Sequence, residues 1–270
     1  MKAGRTVSEM ALDKDRIAAQ LFLQALFPLL KVVLGDNQKI RDKFKGVNAK
    51  IQFVARDSRQ GNLGAYLSFN NGVLDIVQGI CPNPDLAFKF SSVKRMAAML
   101  AGKPALFRIG GFYRIGLLSK LLALLMNLTL LMPNARPKDP DKKRMKVKLS
   151  IYMMAASLSR YNKLGDPEIN KWTGKQPERI YQFSVIGEED IAAFLRVKAG
   201  NTQAAPGRYT KRRPFVHMKF RTVDEAIPVL ANDINMVKAV EKGYLSLEGS
   251  PEYARDVGNF LMRIQALVMG

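Results

Sequence analysis

The sequence predicts an α+β chain built twice over, and three observations predict it. Between positions 47 and 90, apolar residues alternate in short runs, as in half-buried strands, and give way on either side to helical spacing. Phe88-Lys89-Phe90-Ser91-Ser92-Val93 returns as Met218-Lys219-Phe220-Arg221-Thr222-Val223, and Gln52-Phe53 returns at the same spacing as Gln182-Phe183. Between the copies, residues 133–146 hold three prolines and six basic residues, which reads as a linker. The expected division is a polar arm over 1–14, a first domain over 15–132, the basic Pro-rich linker over 133–146 and a second domain over 147–270.

In chain order, residues 15–34 read as a helix, because Ile17, Leu21, Ala25, Leu29 and Val33 recur every four residues. Pro28 should kink or divide it. Strands follow over 48–56, 63–69 and 73–78. Asn70-Asn71-Gly72 joins the last two as a hairpin, since both central positions accept positive φ. After the Cys81-Pro82-Asn83-Pro84 loop comes a strand over 86–90. Ser91 or Ser92 then caps a helix that buries Val93, Met96, Ala97 and Leu100 and stops at Gly102, before Pro104. A fifth strand is expected over 112–115, and Gly116 releases the chain into a helix over 117–132.

The second half repeats this order. Helices over 147–161 and 168–172 precede strands over 180–186 and 191–197, an irregular stretch to Tyr209, and a strand over 215–220. Thr222 and Glu225 spell a capping box. A helix over 233–242, a strand over 244–247 and a final helix opened by Ser250-Pro251-Glu252 complete the copy.

The helix over 117–132 is the unusual element. Its only polar residues are Ser119, Lys120, Asn127 and Thr129, and they form no stripe. A helix apolar nearly all round must be covered on more than one side. The run falls short of the roughly 20 apolar residues a bilayer span needs. A second domain, an apolar ligand or a membrane surface could supply the cover. In the final helix, by contrast, Tyr253, Val257, Phe260, Leu261, Ile264 and Val268 form one stripe opposite Arg255, Asp256, Asn259 and Arg263, so one cover suffices.

The net charge of +20 attracts polyanions, whether lipid headgroups, nucleic acid or acidic proteins. Its two densest clusters are the linker, continuing to Lys148, and the set Arg208, Lys211, Arg212, Arg213, Lys219 and Arg221. No recognition-helix pattern or arginine–aromatic run is present, which disfavours nucleic acid. Beside so apolar a helix, anionic headgroups fit better. The single Cys81 and the absence of a signal-like apolar segment in 1–16 lead to the expectation of a reducing, cytoplasmic location.

Catalytic constellations are sparse. His217 is the sole histidine and alternates with apolar residues in a strand, which disfavours a Ser-His-Asp triad. One cysteine and one histidine do not make the usual zinc site. Glu188-Glu189-Asp190 reads as a solvated turn. Gly102-Lys103 lacks both the earlier glycine and the following hydroxyl of a phosphate loop. No catalytic residue, metal site or cofactor is therefore expected.

Pro84-Asp85-Leu86-Ala87-Phe88-Lys89-Phe90, the helix ending at Leu100-Ala101-Gly102-Lys103, and Gly111-Phe112-Tyr113-Arg114-Ile115-Gly116 before the last helix together resemble the sterol carrier protein family of nonspecific lipid-transfer domains. The second half resembles a diverged copy, through Met218-Lys219-Phe220 and Gly243-Tyr244-Leu245-Ser246-Leu247-Glu248-Gly249. The resemblance implies two tandem domains, each a five-stranded, mainly antiparallel sheet backed by helices around an apolar tunnel that the last helix lines or gates. It also implies a non-enzymatic binder of an apolar lipid of fatty acyl, sterol or isoprenoid type.

The expected lining of the first tunnel is Phe90, Met96, Met99, Leu100, Phe107, Leu121, Leu124, Leu125 and Leu128. That of the second is Phe220, Ile227, Leu230, Met236, Val240, Phe260 and Ile264. Each buried methylene contributes about 0.8 kcal/mol, and a bilayer offers nearly the same, so exchange with membranes would be close to balanced. The competing reading is an interaction module whose apolar helix is a seam between repeats or subunits, without ligand. A nucleic-acid binder driven by charge is the weaker alternative.

Overall fold

The computed structural model describes residues 13–269, so the polar arm expected over 1–14 lies outside it apart from its last two residues. The first half runs α1 (Lys14–Leu21), a π-helical turn (Phe22–Leu26), α2 (Leu29–Asp36), α3 (Gln38–Phe44), β1 (Ala49–Ala55), β2 (Leu63–Asn70), β3 (Val73–Gln78), β4 (Leu86–Phe90), α4 (Val93–Leu100), β5 (Arg108–Gly110), α5 (Ile115–Leu125) and a 3-10 turn (Met126–Leu131). The second runs α6 (Pro140–Lys163), α7 (Pro167–Gly174), β6 (Arg179–Val185), β7 (Glu188–Lys198), β8 (Asn201–Pro206), β9 (Val216–Phe220), α8 (Val223–Leu230), α9 (Met236–Glu241), β10 (Leu245–Gly249) and α10 (Pro251–Met269).

The strands form two five-stranded sheets of identical order, β3-β2-β1-β4-β5 and β8-β7-β6-β9-β10. The sheets are mixed: in each, three of the four strand pairings are antiparallel and one is parallel. After the β2–β3 hairpin the chain crosses to the far side of β1, and that crossover lays β4 parallel to it; β9 lies parallel to β6 for the same reason.

One face of each sheet carries the core. In the first, Ile51, Phe53, Ala65, Leu67, Leu86 and Phe88 point together and are buried under helices. Phe53 meets Phe27 edge-on at 4.9 Å and stacks on Phe88 at 4.8 Å. The helical run from Lys14 to Asp36 is long and apolar enough to cross a membrane by length and composition, but here most of it is buried. Pro28 divides it as expected, and the Phe27 amide reaches back five residues to Phe22, which makes the π turn.

Helix α6 ties the halves together, packing on β7 and β8 on one side and on α2 and the π turn on the other. Residues 140–146, assigned above to the linker, are its first two turns. Asp139 caps the helix by accepting from the Lys142 amide, and Pro140 occupies the first helical position. Charge density hid a good helix start.

Three further segments depart from expectation. The fifth strand is Arg108–Gly110, and 112–114 turn into α5, because Gly111 (φ +76°) lies so close over Asp85 that the chain bends there. Glu188 and Asp190 lie within β7, following a bulge at Ser184 and Val185. The stretch before Tyr209 contains β8, an edge strand whose Gln-Ala-Ala-Pro composition carries no strand signal.

Two buried devices repeat across the halves. The Gln52 side-chain amide donates to Phe53 O, Ala65 O and Gly79 O and accepts from the Cys81 amide. Gln182 donates to Phe183 O, Ala193 O and Gly207 O and accepts from the Tyr209 amide. Each glutamine staples a loop across its sheet by satisfying buried backbone groups. Gly111 and Gly249 form the second device: both have positive φ, and a Cβ on either would overlap the carbonyl oxygen of Asp85 or Phe215.

Candidate lipid site

Helix α5 begins where Gly111 lets the chain turn, and the Arg114–Asp85 ion pair at 2.7 Å holds its start against the loop before β4. It packs on α2 and α3 and buries only Leu121 and Leu124. Leu117, Leu118, Leu125 and Leu128 are half-covered, while Ile115 (73 %), Leu122 (49 %) and Met126 (69 %) are exposed. After Leu125 the helix tightens into the 3-10 turn. Lys146, buried in α6, donates to the carbonyls of Leu130 (2.6 Å) and Met132 (3.1 Å). Burial, with Arg136 nearby, lowers the Lys146 pKa. A cation at a helical C-terminus satisfies carbonyls that have no partner within the turn, and here it anchors the end of the apolar segment.

The sixteen expected lining residues divide by burial. Phe90, Met96, Leu121, Leu124, Phe220, Ile227, Phe260 and Ile264 are buried in the core. Met99, Leu100, Leu125, Leu128, Leu230 and Met236 are half-covered, and Phe107 and Val240 are exposed. Phe107 rests on the rings of Phe88 and Phe90 at 5.7 and 5.5 Å, at the open edge of the first sheet. Two open, mixed-polarity depressions, of about 370 and 390 Å³, lie elsewhere. One is bordered by Gln24, Lys31, Gln78 and Arg160, the other by Asn162, Asn170 and Thr202; neither touches any of the sixteen.

Much of both basic clusters is tied up internally. Arg136 pairs with Asp233, Lys143 with Asp224, and Arg144 with Glu188 and Asp190. Lys148 bridges Asp36 of the first half (2.5 Å) and Asp190 of the second (2.9 Å). Burial opposes its charge, but the two hydrogen-bonded carboxylates win and raise its pKa. In the second cluster, Arg212 pairs with Glu178, Lys219 with Glu248 and Arg221 with Glu225. Arg208, Lys211 and Arg213 extend into solvent. These clusters therefore act first as clamps between elements.

Sequence reasoning passed over one polar pair. Ser184 Oγ lies 2.8 Å from His217 Nε2 on neighbouring strands, with Glu248 beside His217 across the β9–β10 ladder. Burial, reinforced by Lys219, lowers the His217 pKa to about 4, so the ring is neutral at physiological pH. Ser184 is only 2 % exposed, so its hydroxyl satisfies the histidine and is shielded from any substrate. The parallel pairing of β6 with β9, invisible in the sequence, makes the contact. Among the described residues no group of three or more His, Cys, Asp or Glu side chains is placed to hold a metal.

No protein-family model and no curated protein matches the chain. Among solved structures, the inverting sec-alkylsulfatase Pisa1 from Pseudomonas sp. aligns at 14 % identity over 54 % of this chain, with a TM-score of 0.24. A double mutant of the same sulfatase aligns at 14 % over 52 %, with a TM-score of 0.26. The aligned region spans 27 % of each enzyme's length. At these scores the likeness carries no argument about this chain.

Proposed function

We propose that the protein is a non-catalytic, cytoplasmic carrier that binds an apolar lipid and hands it to or takes it from membranes. In this reading each half is a sterol-carrier-like domain, and the first is the principal binder. One observation carries it: α5 spreads six leucines over nearly half its circumference, yet the fold buries only Leu121 and Leu124 and leaves Ile115 and Leu122 in solvent. A monomer that exposes such a surface has a partner for it. The ligand parts α5 from α2 and α3, uncovering Leu121 and Leu124, and reaches Leu125 and Phe107. The tunnel then forms on binding, as α5 moves.

Native mass spectrometry with organic extraction of freshly purified protein tests this. Co-purifying lipid and uptake of a fluorescent fatty acid are expected, and a clean apo mass with no uptake would end the carrier reading. Leu124→Arg should abolish uptake while the second half stays folded. Because Leu124 is fully buried, the half-exposed Phe107→Arg serves as the milder variant.

A second reading is supported by the short edge strand β5 beside the open face of α5, which together would suit a seam with another subunit. Light scattering separates the two: a stable dimer broken by Leu122→Arg would favour the seam.

A further inference from the structure

The outward face of α5 differs from the interior that a ligand would occupy. Ile115 and Leu122 share one side of the helix, and Met126 continues that side into the 3-10 turn. Phe112 (70 %) and Tyr113 (73 %) stand exposed immediately before the helix, and Leu106 stands exposed at the other end of β5. Gly102 lies against the Met132 side chain, so the segment before β5 reaches the far end of the apolar helical run. Six large apolar or aromatic side chains thus lie along one flank of the first half.

The charge around them has one sign. Between Asp85 and Asp139 the chain has no acidic residue and nine basic ones, among them Arg108 on β5 and Arg114 at the start of α5. Asp85 is paired with Arg114, and Asp36, on the helix packed behind α5, is held by Lys148. Asp42 on α3 is outnumbered by Lys39, Arg41 and Lys43 on the same helix. A second copy of the chain would bring the same excess of positive charge to the contact. A nucleic acid would match the charge but leave isoleucine, leucine and methionine in water.

We propose that this flank is a membrane-docking face: Phe112, Tyr113 and Ile115 enter the headgroup–acyl boundary of an anionic bilayer, with α5 lying along the surface. Aromatic and aliphatic side chains ringed by lysine and arginine are the chemistry of interfacial binding. The proposal rests on the carrier reading for its purpose, since docking would set α5 between the bilayer and the lipid site, but its physics stands apart. Placement on α5 and β5 also separates it from the two basic clusters, whose members are largely engaged in ion pairs.

Flotation with vesicles tests it. The full chain should bind vesicles of equal parts phosphatidylglycerol and phosphatidylcholine and should not bind phosphatidylcholine alone. The pair of exposed substitutions Phe112→Asp and Ile115→Asp should weaken binding by at least about tenfold with circular dichroism unchanged. In a Phe112→Trp variant, the introduced indole should shift its emission to the blue on binding and be quenched by brominated acyl chains. Undiminished binding of the aspartate variant, or an indole emission that ignores the vesicles, would overturn the proposal. So would a dimer in solution that the same substitutions dissociate. Fatty-acid uptake delivered from cyclodextrin, without vesicles, should be unchanged in the aspartate variant. Vesicle binding without any uptake would sink the carrier reading and leave the docking face standing.

Discussion

Helices α5 and α10 leave equivalent points of two equivalent sheets and then bury opposite faces. Counting from Gly111 and Gly249, Ile115 answers to Tyr253, Leu122 to Phe260 and Met126 to Ile264. The second set packs inward, whereas the first is exposed. Conversely, the buried Leu121 and Leu124 answer to Asn259 and Met262, which are exposed.

The socket explains the difference. In the second half Trp172 lies 5.4 Å from Phe260 and 6.3 Å from Tyr253, and its indole donates to Asp256 at 2.9 Å. The Arg179 guanidinium sits 4.1 Å from the Phe215 ring and 4.3 Å from that of Tyr253. At the matching positions the first half has Asp42, Ala49 and Asp85 in place of Trp172, Arg179 and Phe215. Without an aromatic socket, α5 turns its other face to α2 and α3. One repeat has closed over its own helix and the other leaves a face of its helix in solvent, which is why the proposed binding surface lies on the first.

This comparison can be broken at several points. The largest effect is expected at the two glycines. Gly249→Ala and Gly111→Ala should each cost about 3 kcal/mol or more in chemical denaturation, since positive φ and a carbonyl clash act together. A mild effect at one alone would mean the two turns are not equivalent. Next, Phe260→Ala should cost about 3 kcal/mol, while Leu122→Ala at the answering position should stay within about 0.5 kcal/mol. Similar costs would mean that α5 is packed in solution as α10 is. Gln52→Leu and Gln182→Leu should each cost about 2–3 kcal/mol by orphaning buried backbone groups, with hydrogen exchange rising at the Cys81 and Tyr209 amides respectively.

The smallest effect depends on pH and has no counterpart in the first half, where Ala87 takes the place of His217. The folded ring titrates near 4 against an ordinary 6.5, so the unfolded chain takes up the proton first. The stabilisation from the neutral ring is full above pH 6.5, is lost as pH falls toward 4, and then levels off. The loss should be on the order of 2 kcal/mol given partial exposure of the ring. Urea midpoints across that window should show it in the parent and a flatter profile in His217→Gln.

Several features were legible in the chain. The Asn71-Gly72 hairpin appears with both residues at positive φ, and Ser92 and Thr222 cap the helices that follow β4 and β9. Only half of the Thr222–Glu225 box is made: the Glu225 amide donates to Thr222, but the Glu225 carboxylate turns to Arg221. The start of α6 was hidden because lysine-rich helix and lysine-rich linker look alike until a packing partner is known. Of the expected lipid-lining residues, those on the core face were legible as apolar. Which of them remain reachable was not, because exposure depends on the neighbouring element.

By itself the sequence determined the duplication, the Asn-Gly hairpin, the helix caps and a helix too apolar for one cover, all of them local requirements of backbone and side-chain chemistry. The tertiary structure alone decided the parallel pairing that joins Ser184 to His217, the bridging by α6, and the face α5 leaves in water. Those depend on what each surface meets across the fold, and a one-dimensional pattern of polar and apolar residues does not specify the partner.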